Sequence, residues 1–387
     1  MLGKLKPFFD IFMKIGIDAR FFGSIGKGLG RYTQKLIENL EKIDNTNQYF
    51  VFLKEENFDE YQPKNSNFQK VLANFRWYTF SEQVKFPKLL RKYNLDLVHF
   101  PHFNVPIFYF GKFVVTIHDL ILIHFPTKRS STLPPILYWL KFLAYKIVIK
   151  FAIIRAKKII AVSNFTRDDL IKTYPKLDPK KIIVTYESAE DFCILTPHNK
   201  YDEILKRYDI IKPYLLYVGN AYPHKNLERL VLSFKEIKKI KKELNLVLIG
   251  KKDYFYRRLK NFVLKEEGID GVIFTDYIPD HELDAVFRNA TAFVWPTLYE
   301  GFGLPPLEAM SKGVPVISSK QECMKEILSD SAYYFNGENV IDITNSILKV
   351  LNGNELKDDL IKKGYKRIAF YSWKKMAQKT LRLYKDV

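Results

Sequence analysis

Cysteine is nearly absent from this chain. Its two copies, Cys193 and Cys323, lie far apart, so no disulfide framework is implied and a reducing cytoplasm fits. Acidic residues are also short: 43 Asp and Glu stand against 62 Lys and Arg, a formal net charge of +19. That balance favours polyanionic partners, whether nucleic acid, an anionic membrane surface or phosphate-bearing substrates. The sequence lacks what would favour nucleic acid among them: a zinc-ligand spacing, an RNP-type motif or a continuous basic tract. His99 and His102 form an H-x2-H pair without further ligands, and they read as cleft or core histidines. No long apolar run is free of charge either. Thr132 to Lys158 is strongly apolar, but Lys141, Lys146, Lys150 and Arg155 interrupt it. Each would cost about 2.5–3.5 kcal/mol at mid-bilayer, which argues against a transmembrane span. Two readings of that stretch remain: a basic amphipathic helix lying on an anionic leaflet, or a buried crossover helix with snorkelling lysines. The first twelve residues, MLGKLKPFFDIF, have no long apolar core and no small-residue cleavage site, so they do not read as a secretory signal. Met13 is expected to open the fold, with the leader an upstream extension; a basic-aromatic membrane foot is the functional alternative. There is no long repeat, no low-complexity tract and no D-x-D metal motif.

What is present is an alternation of strand and helix patterns. A chain of 387 residues is long for one core and comfortable for two domains. KIGID (14–18) reads as a strand, followed by the glycine-rich loop ARFFGSIGKGLG and a helix from Arg31. Further strands are QYFVFL (48–53), KVLANF (70–75), LVHFP (97–101), FVVTIHD (113–119), KIIAVS (158–163) and KIIVTYES (181–188). Several are continuous β-branched runs, as expected of buried parallel strands, and helical stretches separate many of them. Ser163 is placed to cap the helix NFTRDDLIKTY. Strand character lapses between Ala189 and Pro213. A second domain then opens with YLLYVGNAYPHKNLERLVLSFKEI, again strand, turn and helix. The spacing divides the chain into an extension (1–12), a first domain (13–195), a second domain (196–370) and a final amphipathic helix (371–387).

The stretch Ala292 to Ser319, AFVWPTLYEGFGLPPLEAMSKGVPVISS, carries the chemistry. It reads as strand, glycine-rich turn, a helix over Leu307–Lys312 begun by Pro305 and Pro306, a stop at Gly313 and a strand from Pro315. Glu300 and Glu308 flank the turn at an E-x7-E spacing. One lies at the C-terminal end of a strand and the other on the first turns of the helix, the edge where open α/β sheets bind ligands. Free N–H groups at the helix start attract phosphate, and a carboxylate nearby accepts from sugar hydroxyls. Alone, a glutamate pair at such a turn would more often be a surface feature. Gly219 lets a second turn pass close to a phosphate, and Lys225 sits just before the following helix, where its ammonium and the helix start share a diphosphate. His118 ends an apolar strand before Asp119, where a side chain emerges into a cleft. The glycines Gly23, Gly26, Gly28 and Gly30 do not form the dinucleotide fingerprint.

These residues resemble the retaining glycosyltransferases of family four, which have the GT-B fold: two Rossmann-like, doubly wound parallel-sheet α/β domains with a cleft between them. The match extends over nearly all of Lys14 to Val387. It rests on the Glu300–Glu308 stretch, on GLGRYTQKLIENL, on VVTIHDL and on the Gly219–Asn226 turn. The resemblance implies that a nucleotide-sugar lies mainly on the second domain. Glu308 would accept from the ribose and Glu300 from the donor sugar. The N–H groups of Phe302, Gly303 and Leu304 would hold sugar or phosphate, and backbone around Ile278 would meet the base. Lys225 would stabilise the departing diphosphate, His118 would face the donor sugar, and Gly28 and Gly30 would approach the diphosphate or acceptor. Many such enzymes carry arginine where this chain has Asn220, which brings no charge. The Gly-Asn…Pro-His-Lys-Asn form looks mannosyltransferase-like and implies GDP-mannose. No cofactor or metal is expected beyond the donor, because positive charge and helix dipoles would replace Mg²⁺. The expected acceptor is a glycan or lipid-linked glycan, and the expected location is cytoplasmic, peripheral on the inner face of the membrane. Two other readings stand beside this one: a same-fold nucleotide-sugar epimerase or hydrolase, and a non-catalytic basic protein that binds membrane or nucleic acid.

Overall fold

The computed structural model describes residues 12–126, 134–189 and 197–387. All of the leader but Phe12, the expected boundary at 195/196 and the first two residues of the apolar stretch lie outside them.

The continuous apolar runs become strands paired on both sides. The first sheet holds β1 (Lys14–Asp18), β2 (Gln48–Leu53), β3 (Phe68–Leu72), β4 (Leu97–Phe100), β5 (Phe113–Ile117), β6 (Lys158–Ala161) and β7 (Ile182–Val184). Its order is β3-β2-β1-β4-β5-β6-β7, and every pairing is parallel. The second sheet holds β8 (Tyr214–Val218), β9 (Asn245–Ile249), β10 (Val272–Asp276), β11 (Ala292–Trp295), β12 (Val316–Ser319) and β13 (Ala332–Phe335). It too is wholly parallel, in the order β10-β9-β8-β11-β12-β13. Ile15 and Ile17 in β1, and Leu215, Leu216 and Phe293 in β8 and β11, are fully buried, as a sheet covered by helices on both faces requires. Each order reverses once, between β1 and β4 and between β8 and β11. A crevice opens there at the C-terminal ends of the strands.

Several expected boundaries move, and the strand expected over 181–188 shortens to β7 at Ile182–Val184. β3 covers Phe68–Leu72 rather than 70–75: Ala73 still donates to Leu53 at 2.6 Å, after which the chain leaves the sheet. The helix after the glycine-rich loop starts at Lys27, so Gly28 and Gly30 lie in its first turn rather than in the loop. The helix of the central stretch is Leu304–Ser311. Pro305 and Pro306 fit inside its first turn because N–H groups there have no intrahelical acceptor.

The loop leaving β1 is fixed from beneath. Arg20 is fully buried and forks onto Asp18 with two bonds of 2.7 Å, while its third nitrogen meets Glu82 at 2.7 Å. The final helix, Trp373–Lys385, returns to the first sheet's layer and packs on the helix Lys27–Ile43. Its Tyr384 hydroxyl meets His99 Nδ1 at 2.6 Å, and His99 Nε2 meets the Thr116 hydroxyl at 2.8 Å. Burial pushes His99 down to about 3, so it serves as a neutral core link.

Candidate active site

Lys225 and Glu300 come from the two strands that flank the second sheet's switch point. Beyond β8 the chain turns through Pro223–Lys225 into Asn226, whose φ is +62°. Asparagine tolerates that left-handed geometry, and its side-chain amide donates to the carbonyls of Pro296 (3.1 Å) and Gly337 (2.6 Å). The turn is thereby tied to the end of β11, and Lys225 is held in place, only 7% exposed. Its ammonium pairs with the Glu300 carboxylate and lies 4.8 Å from the centre of the Trp295 ring. Burial pushes the Glu300 carboxyl up and Lys225 draws it only part of the way back, so it stays above the usual carboxylate range.

The turn after β11 is braced by the Thr297 hydroxyl on the Tyr299 carbonyl (2.9 Å) and the Ser319 hydroxyl on the Thr297 carbonyl (2.5 Å). Gly303, at φ +89°, begins the helix Leu304–Ser311; a Cβ there would stand 2.8 Å from the Met324 methyl. The N–H groups of this helix start point toward the crevice side of the sheet. Glu308 follows one turn later, buried, and pairs with Arg31 of the first domain. Arg31 also meets Asp280 at 3.0 Å, so a single guanidinium joins the first helix of one domain to two carboxylates of the other.

Across the crevice, His118 follows β5. Its Nδ1 is 3.0 Å from the Glu187 carboxylate and its Nε2 is 3.0 Å from the Pro101 carbonyl. A ring that donates from both nitrogens would satisfy both acceptors, so this setting favours the imidazolium form. Burial alone would push this histidine down, but Glu187, through its hydrogen bond and its charge, with help from Pro101 and Asp119, holds it above its ordinary value. In an NMR titration of the chain's seven histidines, His118 is expected to lose its proton above the ordinary ~6.5. His102 and His224, like His99, are pushed to about 3 by burial and should stay neutral. Glu187→Gln should bring His118 down, and a wild-type value at or below ~6.5 would refute the pairing. The sign for stability follows: the folded state holds this proton more tightly, so the pair stabilises fully below pH ~6.5 and loses that contribution as pH rises through the raised value.

Gly301 brings the two halves together. A Cβ on it would lie 1.9 Å from the His118 carbonyl oxygen and 3.1 Å from Asp119 Cβ. Its own carbonyl accepts from the hydroxyls of Ser163 (2.7 Å) and Thr166 (3.3 Å). Beside it, Glu326 of the second domain accepts the N–H groups of Asn164 and Phe165, both at 2.7 Å, at the start of the helix Asn164–Thr173. Ser163 caps that helix, accepting from Thr166 N–H.

The structure therefore gathers His118, Lys225 and Glu300, with Phe302, Gly303, Leu304 and Glu308 behind them. Gly219 and Asn220 line the approach: the Asn220 carbonyl accepts from Tyr217, and its side-chain oxygen accepts from Tyr222 N–H at 3.3 Å. Ile278 is buried at the entry to the helix Asp280–Arg288. The glycine-rich loop differs from expectation. Gly30 is required by its own loop, since a Cβ would fall 2.1 Å from the Gly23 carbonyl, whereas Gly28 has nothing within 4 Å. His118 also differs, its ring nitrogens being engaged by Glu187 and Pro101 rather than turned outward. Sequence reasoning missed Glu187, Gly301, Arg31 and Glu326. Glu187 was within reach, for it follows an apolar strand just as His118 does. Among the described residues no cluster of three or more His, Cys, Asp or Glu is placed to hold a metal ion, and no helix is long and apolar enough to cross a membrane.

Comparison with known proteins agrees with this geometry. The family model described as "Glycosyltransferase Family 4" matches residues 26–187, and "Glycosyl transferases group 1" matches residues 202–367. The O-antigen chain mannosyltransferase RfbU of Salmonella typhimurium is 29% identical over 304 residues, 78% of this chain and 77% of that one. O-antigen chain mannosyltransferase B of Escherichia coli is 25% identical over 374 residues, 92% of this chain and 96% of that one. Among solved structures, sucrose-phosphate synthase from Thermosynechococcus elongatus superposes with a TM-score of 0.75 over 97% of this chain and 98% of that one, at 19% identity. With two matched halves, two parallel sheets and the Glu300–Glu308 turn at their cleft, the chain belongs to glycosyltransferase family 4, the group 1 glycosyltransferases of the GT-B fold.

Proposed function

We propose that this chain is a retaining, metal-independent hexosyltransferase. It moves mannose from GDP-mannose to a glycan or lipid-linked glycan, in polysaccharide or glycolipid synthesis, working from the cytoplasm and peripheral on the membrane. The observation that carries the reading is buried Lys225 paired with partly buried Glu300 beside the helix start that bears Glu308. The relatives' names favour mannose.

In this reading the ribose hydroxyls take Glu308, and Arg31 gives up that carboxylate. Glu300 accepts from hydroxyls of the donor sugar. Lys225 and the N–H groups of Phe302, Gly303 and Leu304 face the diphosphate. The bond between the anomeric carbon and the phosphate oxygen breaks, its electron pair leaves with the diphosphate, and Lys225 stabilises that charge in a dry site by roughly 1.5–3 kcal/mol. The acceptor hydroxyl attacks from the same face, and its proton passes to the departing phosphate oxygen. The imidazolium of His118 and the carboxylate of Glu187 lie across the cleft from this charge. Closure through Gly301, Ser163 and Glu326 excludes water and limits donor hydrolysis.

The test is thermal stability with GDP, UDP, dTDP and ADP, in EDTA and then in Mg²⁺, for wild type and Glu308→Ala. One nucleotide, expected to be GDP, should stabilise the wild type in EDTA by about 2.7 kcal/mol at 100 times its dissociation constant. That shift should vanish in the variant. A shift that requires Mg²⁺ would sink metal independence, and no shift with any nucleotide would favour a non-catalytic binding protein.

A further inference from the structure

The helix Pro135–Arg155 is uncovered along much of its length. Ile136 is 79% exposed, Leu140 59%, Leu143 56% and Ile147 52%, with Leu137, Trp139 and Ile154 also open to solvent. Such a run is far from the scattered single exposures that soluble surfaces tolerate. Among its described residues only Tyr138, Ile149, Ala152 and Ile153 are buried. The helix crosses from β5 to β6 with its second half in the core, but its first half is not the buried part of a crossover.

Two contacts fix where the helix lies. At its end, Lys157 N–H donates to the Phe113 carbonyl at 2.9 Å, at the start of β5. At its middle, the Tyr145 ring meets Phe103, just beyond the C-terminal end of β4, with centroids 4.9 Å apart. The ten residues before Tyr145 span roughly 15 Å, at 1.5 Å per residue, and lead to the contact with Phe103 beyond the C-terminal end of β4. The exposed half of the helix therefore leads into the sheet end that also carries His118.

We propose that this helix seats the protein on an anionic lipid surface, with the cleft opening at the bilayer, and that the acceptor is anchored there by a lipid. The inference rests on the transferase reading and names the acceptor's class. Charge complementarity selects the partner. Between Pro135 and Arg155 stand Lys141, Lys146, Lys150 and Arg155, with no Asp or Glu. The three lysines are exposed among the apolar side chains, the composition of a helix that lies in a headgroup layer. A second copy packed on the same face would set these cations against their equivalents about a two-fold axis, which opposes pairing. An aromatic path leads inward from this face. Trp139 meets Phe142 at 5.6 Å, Phe142 meets Tyr145 at 6.3 Å, and beyond Phe103 the His102 ring contacts Phe21 at 5.2 Å. It ends beside Pro101, whose carbonyl holds His118. Apolar ring faces of this kind suit the sugars of a glycan whose lipid end stays in the bilayer.

The experiment is flotation of the full chain with phosphatidylcholine vesicles, with and without phosphatidylglycerol, at low and high salt. Wild type is compared with K141E/K146E/K150E and with L140S/L143S/I147S, all at exposed positions. Wild type should float only with the anionic vesicles, and salt should weaken it. The charge variant should lose at least roughly 100-fold in partitioning, since removing each lysine's charge costs about a factor of five and the glutamates add repulsion. The serine variant should also release, while both variants keep the nucleotide-induced thermal shift and turnover on a soluble acceptor. A wild type that stays off anionic vesicles overturns the proposal. So does sedimentation showing a dimer that the serine variant breaks, since the face would then join two copies. A wild type that floats but shows no nucleotide shift would leave the membrane face standing and bring down the transferase reading instead.

Discussion

Lys225→Ala is expected to lower the rate of sugar transfer by roughly 10²–10³-fold, the usual cost of removing a charge-stabilising donor from a preorganised site. Lys225 is nearly buried, is held by the Asn226 staple and shares its charge between Glu300 and the Trp295 face. No repositioned surface lysine reproduces that placement. A second consequence distinguishes this loss from simple unfolding. Burial already keeps the Glu300 carboxyl above the usual range, and Lys225 is its largest opposing influence. Without Lys225 the Glu300 carboxyl should take up its proton at still higher pH. If Glu300 must be ionised to hold the donor sugar, the acidic limb of the activity profile should move upward. Turnover against pH, with melting curves to establish that the variant folds, checks both. A variant within about tenfold of wild type at every pH would remove Lys225 from the reaction.

Gly301→Ala is expected to cost at least about 10²-fold in kcat/KM, because displacement of a reacting group by about 1 Å has that effect. The added Cβ would stand 1.9 Å from a backbone carbonyl and 3.1 Å from Asp119 Cβ, and neither is the yielding end of a flexible side chain. The turn must retreat and take Glu300 away from the strand end that carries His118. Glu308 and the helix Leu304–Ser311 belong to the second domain, so nucleotide binding should survive while transfer collapses. Nucleotide titration and turnover on the same preparation separate the two. Unchanged transfer would mean that the closed arrangement is not the reactive one.

Much of the architecture was legible before any coordinates. Buried parallel strands leave continuous β-branched runs, so β1, β2, β4, β5 and β6 could be found from composition alone. β3 was misjudged because KVLANF is apolar beyond the point where the chain leaves Leu53. The helix at Leu304 starts three residues before the pattern predicts, because its first turn accepts both prolines. His118 lies just past a strand end, where parallel sheets bind, but the E-x7-E pair, Lys225 and His118 were legible chiefly because they resemble the motifs of family four.

The sequence by itself therefore determined which segments form the two sheets, which carboxylates and cations stand at their binding edges, and the family to which they point. Those properties are local: strand periodicity, helix starts and turn glycines act within a few residues. Only the tertiary structure decided how those groups are partnered. His118 is held above its ordinary value by Glu187, 69 residues away, and Glu308 met Arg31 across 277 residues. Gly301 proved necessary because of a carbonyl in the opposite domain, and the Pro135–Arg155 helix buries Ile149, Ala152 and Ile153 while leaving Ile136, Leu140, Leu143 and Ile147 exposed. Charge state, required smallness and exposure depend on what surrounds a group in space, and the chain's order does not encode that neighbourhood until both domains have packed.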